Sequence, residues 1–322
     1  MGIDKFNMLG ILERFPIMCR EALGLNKGLT VSGEITSIVV TGMGGSSIAG
    51  GMLQLYLKES KLPIFISRGY TVPAFVDEYT LVFAISYSGN TEETLSAVQD
   101  AKNKKAKIIA ITSGGELEHE VDKVIKIPAG YQPRVALPYL FFPMIGVLYN
   151  SGLIEVRNSD LNEMMEILKD KQYYSETAYK HAKKIKDKIP IIFSSEDLKA
   201  VGYRFKTQIN ENAKHPAWDT VIPEMNHNEI NAFRFMPRSN FIAFMLRDEK
   251  DHPRVQKRFD ITRKIIEDRI DIEEIMVKGN SLLARMFSTI HLCDMISYYL
   301  ALENRVDPTP VEVIERFKER MK

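Results

Sequence analysis

Side chains that can move protons are concentrated between residues 208 and 229, QINENAKHPAWDTVIPEMNHNE. Two prolines interrupt this stretch, Pro216 and Pro223, so it cannot form one continuous helix. Segments held on a rigid scaffold often carry catalysis, and carboxylates and imidazoles are the usual general acids and bases. The stretch therefore predicts acid–base chemistry, although a solvated loop whose aromatic side chain closes the edge of a core would look the same. Its acids, histidines and tryptophan are Glu211, His215, Trp218, Asp219, Glu224, His227 and Glu229.

Two polar turns earlier in the chain each follow an apolar strand and precede a helix. The first is GMGGSS at residues 42–47, after the β-branched run at residues 35–41. The second is SYSGNT at residues 86–91, after the apolar run at residues 81–85. Such turns bind anions through backbone N–H groups and the helix N-terminus, but they also occur as ordinary α/β construction or as helix caps. Because both turns would meet at the carboxyl edge of one parallel sheet, the pair predicts a ligand site there.

The strand and helix pattern predicts an α/β protein made of two similar units. A charged helical region begins near residue 156, and the apolar run at residues 191–193 then restarts the order of strand, serine turn and helix. We therefore divide the chain into residues 1–155 and 156–322, each a parallel sheet sandwiched between helices.

Composition and charge limit the classes of function. The 322 residues are 45% hydrophobic and 26% charged, with a formal net charge of +1, which is typical of a globular protein with room for two domains. The balanced charge does not indicate a nucleic-acid partner, and no run of about 18 apolar residues indicates a membrane span. Cys19 and Cys293 are interpreted as reduced core thiols of a cytoplasmic protein.

The residue types together fit proton abstraction beside a carbonyl in a phosphorylated, hydroxyl-rich ligand. Glu211 offers a base, His227 a proton shuttle, and Arg134 or Lys318 a cation that could stabilise an enediolate. Arg134, which precedes a helix predicted over residues 137–149, could equally be a surface arginine. The hydroxyls that could hold the phosphate are Ser46, Ser86, Ser88 and Thr91.

Five motifs occur in order along nearly the whole chain: TGMGGSSIAG at 41–50, ISYSGNTEET at 85–94, PR at 133–134, ENAKHPAWDTVIPEMNHNE at 211–229 and VDPTPVEVIERFK at 306–318. Together they resemble the bifunctional phosphoglucose/phosphomannose isomerases of the sugar isomerase (SIS) domain superfamily. The resemblance implies two SIS domains, each with a five-stranded parallel sheet, in a homodimer with a shared active site. It also implies reversible conversion of glucose 6-phosphate or mannose 6-phosphate to fructose 6-phosphate, without a metal or other cofactor.

The resemblance assigns binding roles to the two polar turns. Those implied to approach the sugar are Gly44, Gly45 and Ser46, and those implied to hold its phosphate are Ser86, Ser88 and Thr91.

The resemblance also assigns catalytic roles. Arg134 is similar to the family's enediolate-stabilising arginine, and Glu211 is similar to its proton-carrying base. His227 resembles the ring-opening histidine, which the neighbouring subunit donates, and Lys318 resembles the lysine that assists it. Thr309 is a local candidate for the threonine that the family links to mannose, but it is not assigned.

Two alternatives share the Gly-rich turn or the fold. An NADP-dependent oxidoreductase would use the same strand, turn and helix, although the spacing from Gly42 through Gly44 to Ser47 lacks a third glycine. Arg68 stands where an NAD site would have an acid, which leaves NADP open. A non-catalytic sugar-phosphate-binding protein would need only the two turns.

Two further alternatives concern other chemistry. An amidotransferase would need an early nucleophilic cysteine, and Gly2 follows Met1 instead. A metal isomerase could use Glu211, His215 and His227, but Pro216 interrupts the helix that would present the first two.

Overall fold

The structure is a computed structural model and describes residues 2–237 and 240–321. The chain folds into two units. The N-terminal unit is Arg14–Asn158, and the C-terminal unit combines the residues up to Glu13 with those from Ser159 onward. The division predicted from the sequence was 1–155 and 156–322. It put the first helix, α1 (Met8–Glu13), in the N-terminal part, whereas in the structure this helix belongs to the C-terminal unit.

The N-terminal unit is built on a parallel sheet that has five strands in the described residues, in the order β2-β1-β3-β4-β5. Its strands are β1 (Ser37–Thr41), β2 (Ile64–Ser67), β3 (Thr80–Ile85), β4 (Lys107–Thr112) and β5 (Val124–Lys126). Its helices are α2 (Phe15–Leu23), α3 (Gly45–Tyr56), α4 (Glu92–Asn103), α5 (Leu117–Glu120) and α6 (Leu137–Asn150).

The two central strands of this sheet explain the continuous apolar runs in the sequence. Every residue of β1 and β3 is buried, as expected for parallel strands covered by helices on both faces. Helix α6, LPYLFFPMIGVLYN, is apolar around most of its circumference and packs against α2 and α3. These buried elements form the rigid base on which the two polar turns stand.

The C-terminal unit contains a parallel sheet with four strands in the described residues, in the order β7-β6-β8-β9. The five-stranded sheet implied for this half is therefore wrong for the described chain. None of the described helices combines the length and the apolarity needed to cross a membrane. The strands are β6 (Ile189–Ser195), β7 (Trp218–Ile222), β8 (Phe241–Arg247) and β9 (Asp271–Met276). The helices are α7 (Asn158–Ile167), α8 (Lys171–Ile185), α9 (Lys199–Asn212), α10 (Pro253–Ile266), α11 (Leu282–Glu303) and α12 (Glu312–Met321).

The strand order of the C-terminal sheet repeats that of the first four strands of the N-terminal sheet. In both, the second strand of the unit lies beside the first, and the third strand pairs with the first on its other side. The repeat expected from the sequence is confirmed at the level of topology. Strand β7 lies inside the stretch 208–229, in which the sequence analysis predicted no strand. It pairs with β6 from Ile191 opposite Trp218.

Helix α9 is fixed to α11 by polar side chains that are fully buried. Arg204 on α9 donates from Nε and Nη2 to the two carboxylate oxygens of Asp294 on α11, at 3.1 and 2.6 Å. Two turns further along α9, Asn212 Nδ2 donates to Ser297 Oγ at 2.9 Å. Buried charge-assisted pairs and amide bonds of this kind define the position of one helix on another, so the end of α9 is held in a single place.

Candidate active site

The glycine-rich turn joins β1 to α3 and lies directly against the end of β3. A Cβ on Gly42 would lie 2.7 Å from the carbonyl oxygen of Ile85, so the two chain segments meet backbone to backbone. Gly44, with φ 52° and ψ −125°, has a backbone conformation that glycine adopts without strain. Ser46 is buried in the first turn of α3, and Ser47 Oγ donates to the Gly44 carbonyl at 2.9 Å. The turn therefore places the N-terminus of α3 at the carboxyl edge of the sheet.

The hydroxyl-rich turn joins β3 to α4. Ser86 Oγ and Thr91 Oγ1 lie 2.8 Å apart, and Ser86 Oγ also accepts the Gly89 N–H at 3.1 Å. Ser88 Oγ accepts the Asn90 N–H at 3.3 Å. Thr91 precedes α4, but its hydroxyl pairs with Ser86 and makes no capping bond to that helix. The alternative that the Thr91 hydroxyl serves only as a helix cap is therefore wrong for the described chain.

The segment that carries Arg134 packs against the glycine-rich turn. Arg134 lies in a 3-10 turn, Pro133–Val135, and only 2% of its surface is exposed. A Cβ on Gly45 would lie 3.1 Å from both Arg134 Cα and the Pro133 carbonyl oxygen. Arg134 Nη1 donates to Gln132 Oε1 at 3.4 Å. The surface-arginine interpretation is therefore wrong. A buried arginine, whose guanidinium stays charged in proteins, has its backbone against the glycine-rich turn.

Arg68 is a further cation at this edge that the sequence analysis did not assign to the site. It follows β2 immediately, and its Nε donates to Ser47 Oγ at 3.2 Å. Its place directly after a strand next to β1 was the signal that could have identified it. The N-terminal unit thus brings together glycines, hydroxyls and two guanidinium groups, a donor set that suits a phosphate or another hydroxylated anion.

The remaining predicted residues lie on three separate elements of the C-terminal unit. Glu211 is half-buried and stands one residue before the end of α9. His227 is exposed and ends the 3-10 turn Glu224–His227, and Lys318 is exposed on α12. Glu211 therefore has the most defined position of the three, because Asn212 beside it is bonded to Ser297.

His215 and Asp219, which also belong to the stretch 208–229, have structural partners. His215 Nε2 lies 2.7 Å from the Lys188 carbonyl oxygen, and its Nδ1 lies 3.2 Å from Asn304 Nδ2. Asp219 pairs with Lys206 at 3.4 Å. Because both ring nitrogens of His215 are used within the fold, the alternative of a metal isomerase loses one of its three proposed ligands.

The corresponding edge of the C-terminal sheet is acidic, which the sequence analysis missed. Asp248 and Asp251 follow β8 and are buried, and Asp248 pairs with Arg285 at 2.8 Å. Burial raises the pKa of Asp251 to about 6, and the negative charges of Asp248 and Asp197 add to this shift. Carboxylates at this edge repel a phosphate, so the hydroxyl-rich edge of the N-terminal unit is the one suited to an anion.

Comparison with known proteins agrees with the division of the chain into two units. Residues 34–145 match the SIS domain, and residues 175–321 match the bacterial phospho-glucose isomerase C-terminal SIS domain. A bifunctional phosphoglucose/phosphomannose isomerase of Caldicellulosiruptor bescii is 43% identical over 98% of this chain and 98% of its own length. The chain belongs to the bifunctional phosphoglucose/phosphomannose isomerase family. The α/β architecture of two SIS domains and the isomerase class, both expected from the sequence, are thereby confirmed.

The chain is also similar to proteins that are named for other reactions. A D-glucosamine-6-phosphate 4-epimerase of Sulfolobus acidocaldarius is 32% identical over 88% of both chains. The structure of a glucosamine-6-phosphate deaminase from Thermotoga maritima is similar with a TM-score of 0.70 at 16% identity, over 94% of this chain and 96% of that one. At that identity the likeness establishes the fold alone.

The raised pKa of Asp251 predicts a stability that depends on pH. The ordinary pKa of an aspartate is 3.8 and that of folded Asp251 is about 6, so between these values the unfolded chain releases the proton first. Stability is therefore lost as the pH rises through this window. We expect Asp251→Asn to raise the free energy of unfolding by about 1–2 kcal/mol near pH 7.5 and to add nothing near pH 3, which is below both pKa values. Urea unfolding at both pH values measures this, and an equal effect at both would contradict it.

Proposed function

We propose that the protein interconverts glucose 6-phosphate and mannose 6-phosphate with fructose 6-phosphate through ring opening and an enediol(ate). The observation that carries this proposal is the meeting of the glycine-rich turn, the hydroxyl-rich turn and the buried Arg134 at one sheet edge. Membership of the isomerase family supports the reaction. A binding protein without catalysis would use the same turns and arginine to hold the phosphate, but it would need no base such as Glu211.

The phosphate is held by the hydroxyl-rich turn in this proposal. Ser86, Ser88 and Thr91 supply hydroxyl donors, and the N-terminus of α4 adds a positive potential. Gly44, Gly45 and Ser46 let the sugar approach the backbone of the other turn closely. Holding the phosphate fixes the distance from that end of the substrate to its reacting carbons, which reduces the entropic cost of the reaction.

Ring opening and proton transfer are assigned to the C-terminal unit. His227, assisted by Lys318, passes a proton to the ring oxygen as the cyclic sugar opens. Glu211 then removes the proton from C2 and returns it to C1. The proton of the C2 hydroxyl moves to the C1 oxygen, so that C2 becomes the carbonyl of fructose 6-phosphate and C1 becomes its hydroxymethyl group. The charge that develops on oxygen in the enediolate is stabilised by the guanidinium of Arg134. The proposal requires no metal and no other cofactor.

The proposed assembly is a homodimer with a shared active site, in which His227 comes from the neighbouring subunit. Exposure of His227 in the single chain is compatible with this role. We also propose a cytoplasmic location, in keeping with Cys19 and Cys293, which are free and buried thiols.

The assay that tests this proposal uses purified protein with glucose 6-phosphate, mannose 6-phosphate and glucosamine 6-phosphate, each followed by its product. We expect fructose 6-phosphate from the first two and no reaction with the third. The third substrate is included because one relative is named as a glucosamine-6-phosphate epimerase. Turnover of glucosamine 6-phosphate alone would overturn the proposed function.

The role of Glu211 predicts a selective loss of chemistry. Glu211→Gln keeps the shape of the side chain but removes the base, so kcat should fall at least about 100-fold while the affinity for the phosphorylated sugar changes little. Isomerisation kinetics combined with calorimetric binding of a non-reacting hexitol 6-phosphate measure the two effects. The matched control is Glu224→Gln, which changes a nearby carboxylate with no assigned role. Turnover near the wild-type rate in Glu211→Gln would refute the assignment.

The role of His227 predicts a difference between cyclic and open substrates. His227→Ala should lower kcat/KM for cyclic glucose 6-phosphate by about 10- to 100-fold more than for a substrate that cannot close its ring. The four-carbon sugar erythrose 4-phosphate, whose phosphate blocks ring closure, provides the open-chain comparison, with exchange of its C2 proton for deuterium as the readout. Equal losses with both sugars would exclude a role in ring opening.

A further inference from the structure

Tyr87 lies in the hydroxyl-rich turn, between two of the proposed phosphate-binding serines, yet its side chain points away from them into the protein. Only 7% of the residue is exposed. Its hydroxyl donates to the Pro128 carbonyl oxygen at 2.9 Å and accepts the Tyr131 N–H at 2.8 Å. One side chain of the turn therefore holds both ends of the segment 128–131.

This segment leads directly to the arginine. Arg134 follows Tyr131 by three residues, in the 3-10 turn whose backbone lies against Gly45. Gly130 in the segment has φ +93°, a conformation that favours glycine, and residues 127–132 lie outside any helix or strand. A stretch of this kind has few internal constraints, so the two bonds to Tyr87 have a large share in fixing its course.

The backbone of Tyr87 has a second set of bonds that a side-chain change leaves intact. Its carbonyl oxygen accepts from Ser113 N and Ser113 Oγ, at 3.0 and 2.6 Å. These bonds attach the hydroxyl-rich turn to the end of β4. Loss of the tyrosine hydroxyl should therefore release the arginine segment without moving the turn itself.

We infer that Tyr87 is a positioning residue of the isomerase, which sets the place of Arg134 relative to the phosphate-binding turn. The inference rests on the proposed function, because it assigns Tyr87 a role through Arg134 in that reaction. Burial raises the pKa of the Tyr87 hydroxyl above its ordinary value, so the group keeps its proton at neutral pH and remains a donor to Pro128. Tyr87 touches neither the sugar nor the phosphate in this scheme.

The variant that tests the inference is Tyr87→Phe, which removes one oxygen and keeps the aromatic ring. Misplacement of a catalytic group by a fraction of an ångström is costly, so kcat should fall about 10- to 100-fold while KM for fructose 6-phosphate stays within about threefold. The matched control is Ser37→Ala. It removes a buried hydroxyl pair with Thr80, 3.2 Å apart, at the opposite end of the same sheet, and kcat should be unchanged. A comparable loss of kcat in both variants would assign the effect to general destabilisation and overturn the inference.

A double-mutant cycle with Arg134→Lys shows whether Tyr87 acts through the arginine. If it does, Tyr87→Phe should cost less than about twofold in kcat once Arg134 has been replaced, because contacting or coupled residues are not additive. The same fold loss in both backgrounds would overturn the inference.

Hydrogen exchange separates this inference from the proposed function. In Tyr87→Phe the amide of Tyr131 loses its acceptor, so its exchange should accelerate at least about tenfold in the unliganded protein, whatever reaction the protein catalyses. Unchanged exchange at Tyr131 would refute the inference that the Tyr87 hydroxyl holds the segment 128–131. An inactive wild type with accelerated exchange in the variant would instead refute the isomerase proposal, and the role of Tyr87 in holding this segment would still be supported.

Discussion

The candidate site depends on the direct backbone contact between the ends of two parallel strands. Gly42 at the end of β1 leaves no room for a side chain, because a Cβ there would lie 2.7 Å from the Ile85 carbonyl oxygen at the end of β3. Because the two strand ends lie so close together, Ser46 and Ser86, which follow the neighbouring strands β1 and β3, lie at the same edge of the sheet. Gly45 repeats the arrangement against the backbone of Arg134. Close approaches at glycines thus bring together three segments that are distant in sequence. Short polar side chains on these segments can therefore face the same ligand.

The two sheets show that one topology can carry opposite electrostatics at the same edge. The first three strands of each unit occupy equivalent places. In the N-terminal unit the chain leaves the third strand through Ser86 and Thr91, whereas in the C-terminal unit it leaves through Asp248 and Asp251. Hydroxyls and helix N-termini attract an anion, and buried carboxylates repel it. The strand order therefore fixes where a ligand can bind, and the residues after each strand decide what its charge must be.

The features that could be predicted from the sequence were those with a local cause. Glycines after an apolar run and hydroxyls before a helix are visible in a few consecutive residues, so both turns and their place at the sheet edge were predicted. Strand β7 was not, because it is a five-residue edge strand with Pro216 before it and Pro223 after it, and a short run of that kind has no clear period. The burial of Arg134 and the acidic edge at Asp251 depend on which segments meet in space. The bond from Tyr87 to Pro128 joins residues that are 41 positions apart, and no sequence pattern marks it.

The division of tasks that we propose for the turns and Glu211 bears on how one site can serve two aldoses. Glucose 6-phosphate and mannose 6-phosphate differ only at C2, and removal of the C2 proton gives a planar intermediate in which that difference is lost. The residues proposed to hold the phosphate are the same distance from C2 in both sugars, so they cannot distinguish the two. In the proposed mechanism, discrimination arises instead where the proton returns, from the face of the enediol that Glu211 can reach. In the same mechanism the identity of the reacting carbon depends on the groups around the sugar and not on those around its phosphate.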